Sequence, residues 1–289
     1  MELTIYKKVE LHEPKFIIGL DGWANAGKIS TNVVIYLINK LKAEKFAEIK
    51  SDLFYILSLN RPQVSITEGL VKEFSFPKNY LYFAKDKKTL KDFIFLLGHE
   101  PDIRWAEYAD NVFHIAKLYN VKRIITVGGF ADYILHTAEP PVSAVVNTKN
   151  MKAHMQEFSV EFIDYHGSAS LHSFFHLRKD IEIVTLWGSV PVYLTQSPKS
   201  YYSVLKVLLA VSEMNIDIED MKEAAEKVDE KIEEIIAQNP HLKELVENLK
   251  ELQNERKPSR QEIENLIKEI EEFFKKQKGE GYEGNNPLL

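Results

Sequence analysis

The residues with the most chemical promise lie at 22–28. Gly22-Trp23-Ala24-Asn25-Ala26-Gly27-Lys28 follows an apolar run, precedes a helical pattern, and matches the Gly-x4-Gly-Lys part of a phosphate-binding loop. Such a loop needs Ser or Thr next, to hold magnesium. Ile29 stands there instead, and Ser30 comes one residue late. Trp23 is also bulky for a backbone that must curl round phosphates. The residues favour a glycine turn leading into a helix. A nucleotide switch that depends on Lys28 is the lesser reading.

A second concentration of reactive side chains lies at 166–176. His172 and His176 share a helix face at i, i+4, a spacing that suits a divalent metal, with His166 as a candidate third ligand. Ser173 occupies the place of the glutamate that a His-Glu-x-x-His protease requires, so core or partly exposed histidines are the preferred reading and no metal is expected. Gly167-Ser168-Ala169-Ser170 lacks the second glycine of a nucleophile elbow. No complete catalytic set emerges.

Polar residues also fall at the ends of apolar runs, at Asp21-Gly22, Gly98-His99-Glu100, Gly128-Gly129 and Gly188-Ser189. In an α/β sheet these ends gather along the carboxyl edge, where a crevice forms. Asp21, Glu100, Arg104 and His136 are the candidates there. An i, i+4 ion pair between Glu100 and Arg104 that orders a loop is the competing structural reading.

The elements that must position these residues are legible in outline. Apolar runs at 16–20, 92–98, 123–129 and 181–188 read as buried parallel or mixed strands. Helical spacing at Lys28–Leu41, Trp105–Tyr119 and Ser168–Arg178 alternates with them, which predicts a layered α/β core over 1–215. Phe54–Leu59 and Tyr80–Lys85 are expected as further β segments in a mixed sheet. From Ser197-Pro198 the pattern turns helical. A helix capped at Asp217 carries the stripe Ile218, Met221, Ala225, Val228, Ile232 and Ile235. Asn239-Pro240 interrupts it, a third helix bears Leu242, Leu245, Leu249 and Leu252, and Ser259-Arg260-Gln261-Glu262 opens a fourth. This helical C-terminal arm (216–278) must cover its apolar stripes on the core, on itself or on another chain. The tail 279–289 is rich in glycine and asparagine and reads as flexible.

Composition narrows the partners. In 289 residues there is no cysteine, so disulfides and thiolate ligands are out, and no apolar run approaches the 18 or so residues of a membrane helix. The start shows no apolar signal core, and a cytoplasmic protein is expected. The net charge is −6; residues 216–278 carry 12 basic and 18 acidic side chains. Without a basic face, nucleic acid is not expected as a partner.

Five motifs in order give these observations a frame: FIIGLDGWANAGK, LNRPQV at 59–64, LGHEPDIRW at 97–105, His136-Thr137 after RIITVGG, and VPVYLTQSPKS at 190–200. Together they resemble the proteasome assembly chaperone two family over roughly residues 1–235. The resemblance implies a three-layer mixed sheet like the purine nucleoside phosphorylase fold, without that activity or any cofactor. It also implies self-association into a homo-oligomer and ATP-independent binding of proteasome α subunits. Asp21, Gly22, Trp23, Glu100, Pro101, Arg104 and His136 then stand as family-marker residues, not catalysts. Docking proteins of this kind end in an apolar residue, a tyrosine and a free last residue, which directs attention to Tyr282, Leu288 and Leu289 as partner-binding residues. The reading from another class is an enzyme acting on a nucleoside-like or phosphorylated small molecule at the strand-end crevice.

Overall fold

The computed structural model describes residues 2–51, 53–86, 91–254 and 260–279. Its elements in chain order are β1 (Leu3–Ile5), β2 (Lys15–Asp21), α1 (Ile29–Lys40), β3 (Glu44–Ile49), β4 (Gln63–Thr67), β5 (Leu70–Ser75), β6 (Asn79–Asp86), β7 (Lys91–His99), α2 (Trp105–Leu118) and β8 (Arg123–Asp132). There follow β9 (Val142–Val146), α3 (Lys149–Met155), β10 (Glu161–Phe162), α4 (Leu171–Phe175), β11 (Glu182–Pro191), α5 (Pro198–Ser212), α6 (Glu219–Gln238), α7 (Pro240–Asn254) and α8 (Arg260–Gly279).

Among the described residues one mixed sheet runs in the order β1-β3-β6-β7-β2-β8-β11-β9-β10, while β4 and β5 form a separate hairpin. The four central strands β7, β2, β8 and β11 are parallel. They are apolar throughout because both faces are covered. On one face, Phe16, Ile18 and Leu20 pack with Tyr108 and Val112 of α2 and Phe175 of α4. On the other, Ile17 joins Val33 and Leu37 of α1 and Val204 and Leu208 of α5. The result is a three-layer α/β core.

The tightest joint in this core is between α1 and β2. A side chain at Gly19 would collide with the Ser30 carbonyl and with Val34. The absence of one lets the buried Ser30 hydroxyl accept the Leu20 N–H at 2.8 Å and donate to the Val127 carbonyl at 2.5 Å. One hydroxyl thereby ties a helix start to two adjacent strands.

The C-terminal helices fold back onto the α1/α5 side. Ser197 caps α5 by accepting the Ser200 N–H at 3.2 Å with Pro198 at the first helical position, and Asn239 caps α7 through the Leu242 N–H at 3.0 Å. Ala225, Ile232 and Ile236 of α6 are buried, as are Leu242, Leu245 and Leu249 of α7. A single apolar cluster continues from the sheet through α6 and α7 to Ile267, Ile270 and Phe274 of α8. Phe274 stacks on Tyr193 with centroids 5.8 Å apart, and Asp220 receives Tyr36 and Lys40 of α1 at 2.6 and 2.9 Å. The helices thus cover their stripes on the core and on one another.

Two expectations change. Phe54–Leu59 forms turns, not a strand, because the buried Phe54 and Tyr55 anchor the segment in the core while the Phe54 carbonyl accepts the N–H groups of Asp102 and Ile103. The helix expected at Ser168–Arg178 shortens to Leu171–Phe175, since the chain must turn to enter β11. The short elements β3, β9, β10 and α3, and the hairpin β4–β5, carry too little periodicity to stand out in the sequence. The cap residue Ser259 and the tail residues Tyr282, Leu288 and Leu289 lie outside the described residues.

The Gly19–Ser30 joint predicts two stability losses. Gly19→Ala overpacks the joint and costs about 1–3 kcal/mol. Ser30→Ala leaves the Leu20 N–H unpaired and costs about 1–3 kcal/mol. Urea midpoints unchanged from wild type would show that the joint is looser than drawn.

Candidate functional site

The carboxyl ends of β2 and β7 bring two of the motifs together. Asp21, Gly22, Trp23 and Glu100 line one pocket of about 490 Å³ with Asn60, His99, Pro101, Asp102 and Trp105. Gly22 has a φ of 141°, and a side chain there would press on Glu100 at 2.9 Å. Only glycine suits that backbone. Trp23 stands at the rim, 64% exposed.

The carboxylates here are well supplied with donors. Asp21 Oδ1 accepts from Asn25 Nδ2 at 2.8 Å, Lys28 Nζ at 3.1 Å and the Gly22 N–H at 3.2 Å, and His99 Nε2 lies 3.7 Å from Oδ2. Burial pushes this carboxyl up, but the Asn25 and Lys28 hydrogen bonds and the Lys28 and His99 charges outweigh it and hold it below its ordinary value. Glu100 moves the other way. Its burial dominates and raises it, although the N–H groups of Leu171 (2.6 Å) and Trp23 donate to it. Two carboxyls displaced in opposite directions in one pocket is the pattern of an acid–base pair. Their hydrogen bonds, however, are spent on this chain's own backbone and side chains.

Arg104 and His136 stand apart from this pocket. Arg104 takes a left-handed φ of 59° at the start of α2 and reaches forward to Glu107 (Nε–Oε1 3.2 Å), not back to Glu100. The i, i+4 pairing is lost because residue 104 is not helical. His136 is buried 97 positions from its partner Glu233 of α6, with Nε2 3.1 Å from Oε1. The Tyr193 hydroxyl accepts the His136 backbone N–H at 2.7 Å and sits 3.0 Å from Nδ1. Because the Glu233 carboxylate only accepts, Nε2–H donates to it, and in the neutral ring Nδ1 accepts from the Tyr193 hydroxyl. Burial holds the ring below its ordinary value despite the acids beside it, so the neutral imidazole suffices. Lys199 adds a bond to the His136 carbonyl at 2.8 Å.

The motifs therefore act as clasps. Asn60 Nδ2 of the 59–64 motif donates to both oxygens of Asp102 in the 97–105 motif, at 2.8 and 2.9 Å, and Asp102 also accepts the Ile56 N–H. His136 is joined to Tyr193 and Lys199 of the 190–200 motif in the same manner. A further hub escapes sequence reasoning. Buried Asn79 Oδ1 accepts from the hydroxyls of Tyr55 and Tyr108 and from the His99 N–H. An isolated asparagine in an apolar stretch carries no motif to mark it.

The phosphate-type loop is pinned to the sheet. The Gly129 N–H donates to the Ala24 carbonyl at 2.8 Å, the Tyr201 hydroxyl to the Gly27 carbonyl at 2.6 Å, and Gly27 faces Val190. Lys28 is paired with Asp21 and Ser30 is consumed by the α1–β2 joint. Of the histidine cluster, His172 is fully buried against Trp187 and His176 Nε2 meets the Thr185 hydroxyl at 2.8 Å, whereas His166 is exposed. No group of three or more potential ligands occurs among the described residues.

Burial pushes His172 down to about 3 and His176 to about 4, so both are neutral in the folded chain. The unfolded chain gains protons first, as pH falls below about 6.5, and stability is lost from there towards about 4 for His176 and about 3 for His172. Each histidine contributes a slope of up to about 1.4 kcal/mol per pH unit. Denaturant midpoints at pH 7 and pH 5 should differ more for wild type than for His172→Phe. Equal differences would mean that His172 is solvated.

A three-layer α/β core with clasped strand ends and a packed helical extension defines the class of protein. The chain belongs to the PAC2 family, whose model matches residues 19–236. That span ends inside α6, close to the limit expected from the motifs, and leaves α7 and α8 outside it. The fold is that of the Mycobacterium tuberculosis proteasome-assembly chaperone homologue Rv2125 (24% identity, 80% of this chain and 99% of that one, TM-score 0.73). It is likewise that of a PAC2 family protein from Streptomyces avermitilis (23% identity, 76% and 95%, TM-score 0.70). Pyrococcus furiosus PbaB, an archaeal proteasome activator, also matches (23% identity, 81% and 99%, TM-score 0.64). A search of the curated proteins found no match.

Proposed function

We propose that this chain is an ATP-independent assembly chaperone or adaptor that self-associates and binds protein subunits, with proteasome α subunits as clients. The observation that carries this reading is family membership across most of the α/β core, residues 19–236. The pinned loop supports it from the chemical side, because Lys28 and Ser30 are engaged within the chain. No described helix is long and apolar enough to cross a membrane. Tyr282, Leu288 and Leu289 are the proposed client-contacting residues, as a short apolar segment suited to a groove between subunits.

The second reading is an enzyme acting on a nucleoside-like or phosphorylated small molecule. It draws on the opposite displacement of Asp21 and Glu100 in one pocket.

Native mass spectrometry of the full chain mixed with α subunits is expected to show mixed complexes without nucleotide, weakened when the chain is cut after Gly279. Absence of any complex, where a known chaperone forms one, would remove the client assignment. Calorimetry with magnesium–ATP is expected to show no heat for wild type or Lys28→Ala. Turnover abolished by Glu100→Ala would instead establish the enzyme.

A further inference from the structure

The hairpin β4–β5 stands off the main sheet and has no cover. Its turn, Glu68-Gly69, has both φ values positive (52° and 77°), the tight two-residue turn that suits twisted strands. The register pairs Val64 with Phe74 and Ser65 with Glu73, then shifts to pair Ile66 with Val71 and Thr67 with Leu70. Lys72 is the extra residue of this bulge. Without the shift, Lys72 would oppose Ile66, and Val71 would fall on the other face. With it, Val64, Ile66, Val71 and Phe74 share one face of the ribbon. Their exposures are 50%, 60%, 64% and 56%. Phe76 extends the patch by an edge contact to Phe74 at 5.4 Å.

An isolated two-stranded ribbon is marginal in water, and a bulge that gathers four apolar residues on one open side, leaving Leu70 on the other, invites a partner. The charges point to the nature of that partner. Arg61 and Lys72, and Glu68 and Glu73, make no ion pair among the described residues. Counted from Arg61 to Ser75, the segment that bears the ribbon is thus neutral, with two cations and two anions beside an uncharged apolar face. A strongly acidic or basic partner gains nothing from that set. A second copy of the same ribbon supplies a matching apolar face and, for each free charge, an opposite one.

We infer that this hairpin is the self-association element: the Val64, Ile66, Val71, Phe74 face packs across a two-fold axis on the same face of a second copy. The inference rests on the proposed self-association and names its surface. Stacked sheet faces lie about 10 Å apart, which sets the reach of a probe. The chain has no cysteine, so single introduced thiols report cleanly.

The test is light scattering coupled to gel filtration on the full chain, with Val71→Glu and Phe74→Glu beside wild type, and circular dichroism to confirm folding. A bis-maleimide linker of about 10 Å is applied to Phe74→Cys on the apolar face and to Ser65→Cys on the other. Support is an oligomeric wild type, folded smaller species from both glutamate variants, and cross-linked dimer from Phe74→Cys but not from Ser65→Cys. An oligomer that survives both glutamates, or cross-links equally through Ser65→Cys, overturns the hairpin assignment while leaving self-association intact. A monomeric wild type overturns both. Glutamate variants that unfold are replaced by Phe74→Ser, which must lower the association constant at least tenfold for the inference to stand.

Discussion

Everything in this molecule is arranged round the close contact of α1 with β2 at Gly19. The helix can approach only because that position has no side chain, and it must approach for one hydroxyl, Ser30, to serve the backbone of β2 and β8 together. From that joint follows the path of the loop before it. Residues 22–28 lie flat over Gly129 and Val190 instead of opening into a cradle, and Asp21 is left facing Lys28 and Asn25. A loop with the right glycines and lysine therefore becomes an internal brace. A phosphate would need N–H groups that point outward, and here Gly129 and Tyr201 hold the loop down by its carbonyls.

The same economy runs through the other polar groups. Asp102 spans the loop at 56–60, Asn79 collects two tyrosine hydroxyls, and His136 with Lys199 fastens the loop after β8 and the first turn of α5 to α6 through Glu233 and Asp229. Each clasp joins segments far apart in sequence.

How far all this is readable from residue types depends on range. The central strands were plain because β2, β7, β8 and β11 are covered on both sides and so apolar throughout, and the cap at Ser197 was plain because capping is decided within three residues. The stripe of α6 predicted burial correctly at Ala225 and Ile232. What faces that stripe was not legible, since Tyr193 meeting Phe274 depends on a fold-back that no local pattern encodes. At the site, Asp21, Gly22 and Glu100 were placed together by strand ends, and Trp23 by the family resemblance. His136 was misplaced, because its ring turns towards Glu233, 97 residues later. The hairpin was missed for another reason: Glu-Gly is a weak turn signal, and its bulge breaks the alternation that marks a strand.

The two outer strands of the main sheet give the whole architecture a boundary. At one border β1 contributes three residues, and at the other β10 contributes two, lying parallel to β9. Borders so brief expose too few backbone groups to recruit another strand, so the sheet terminates itself chemically at both ends. Growth of the main sheet by ladder extension, the route to open-ended fibres, is thereby disfavoured.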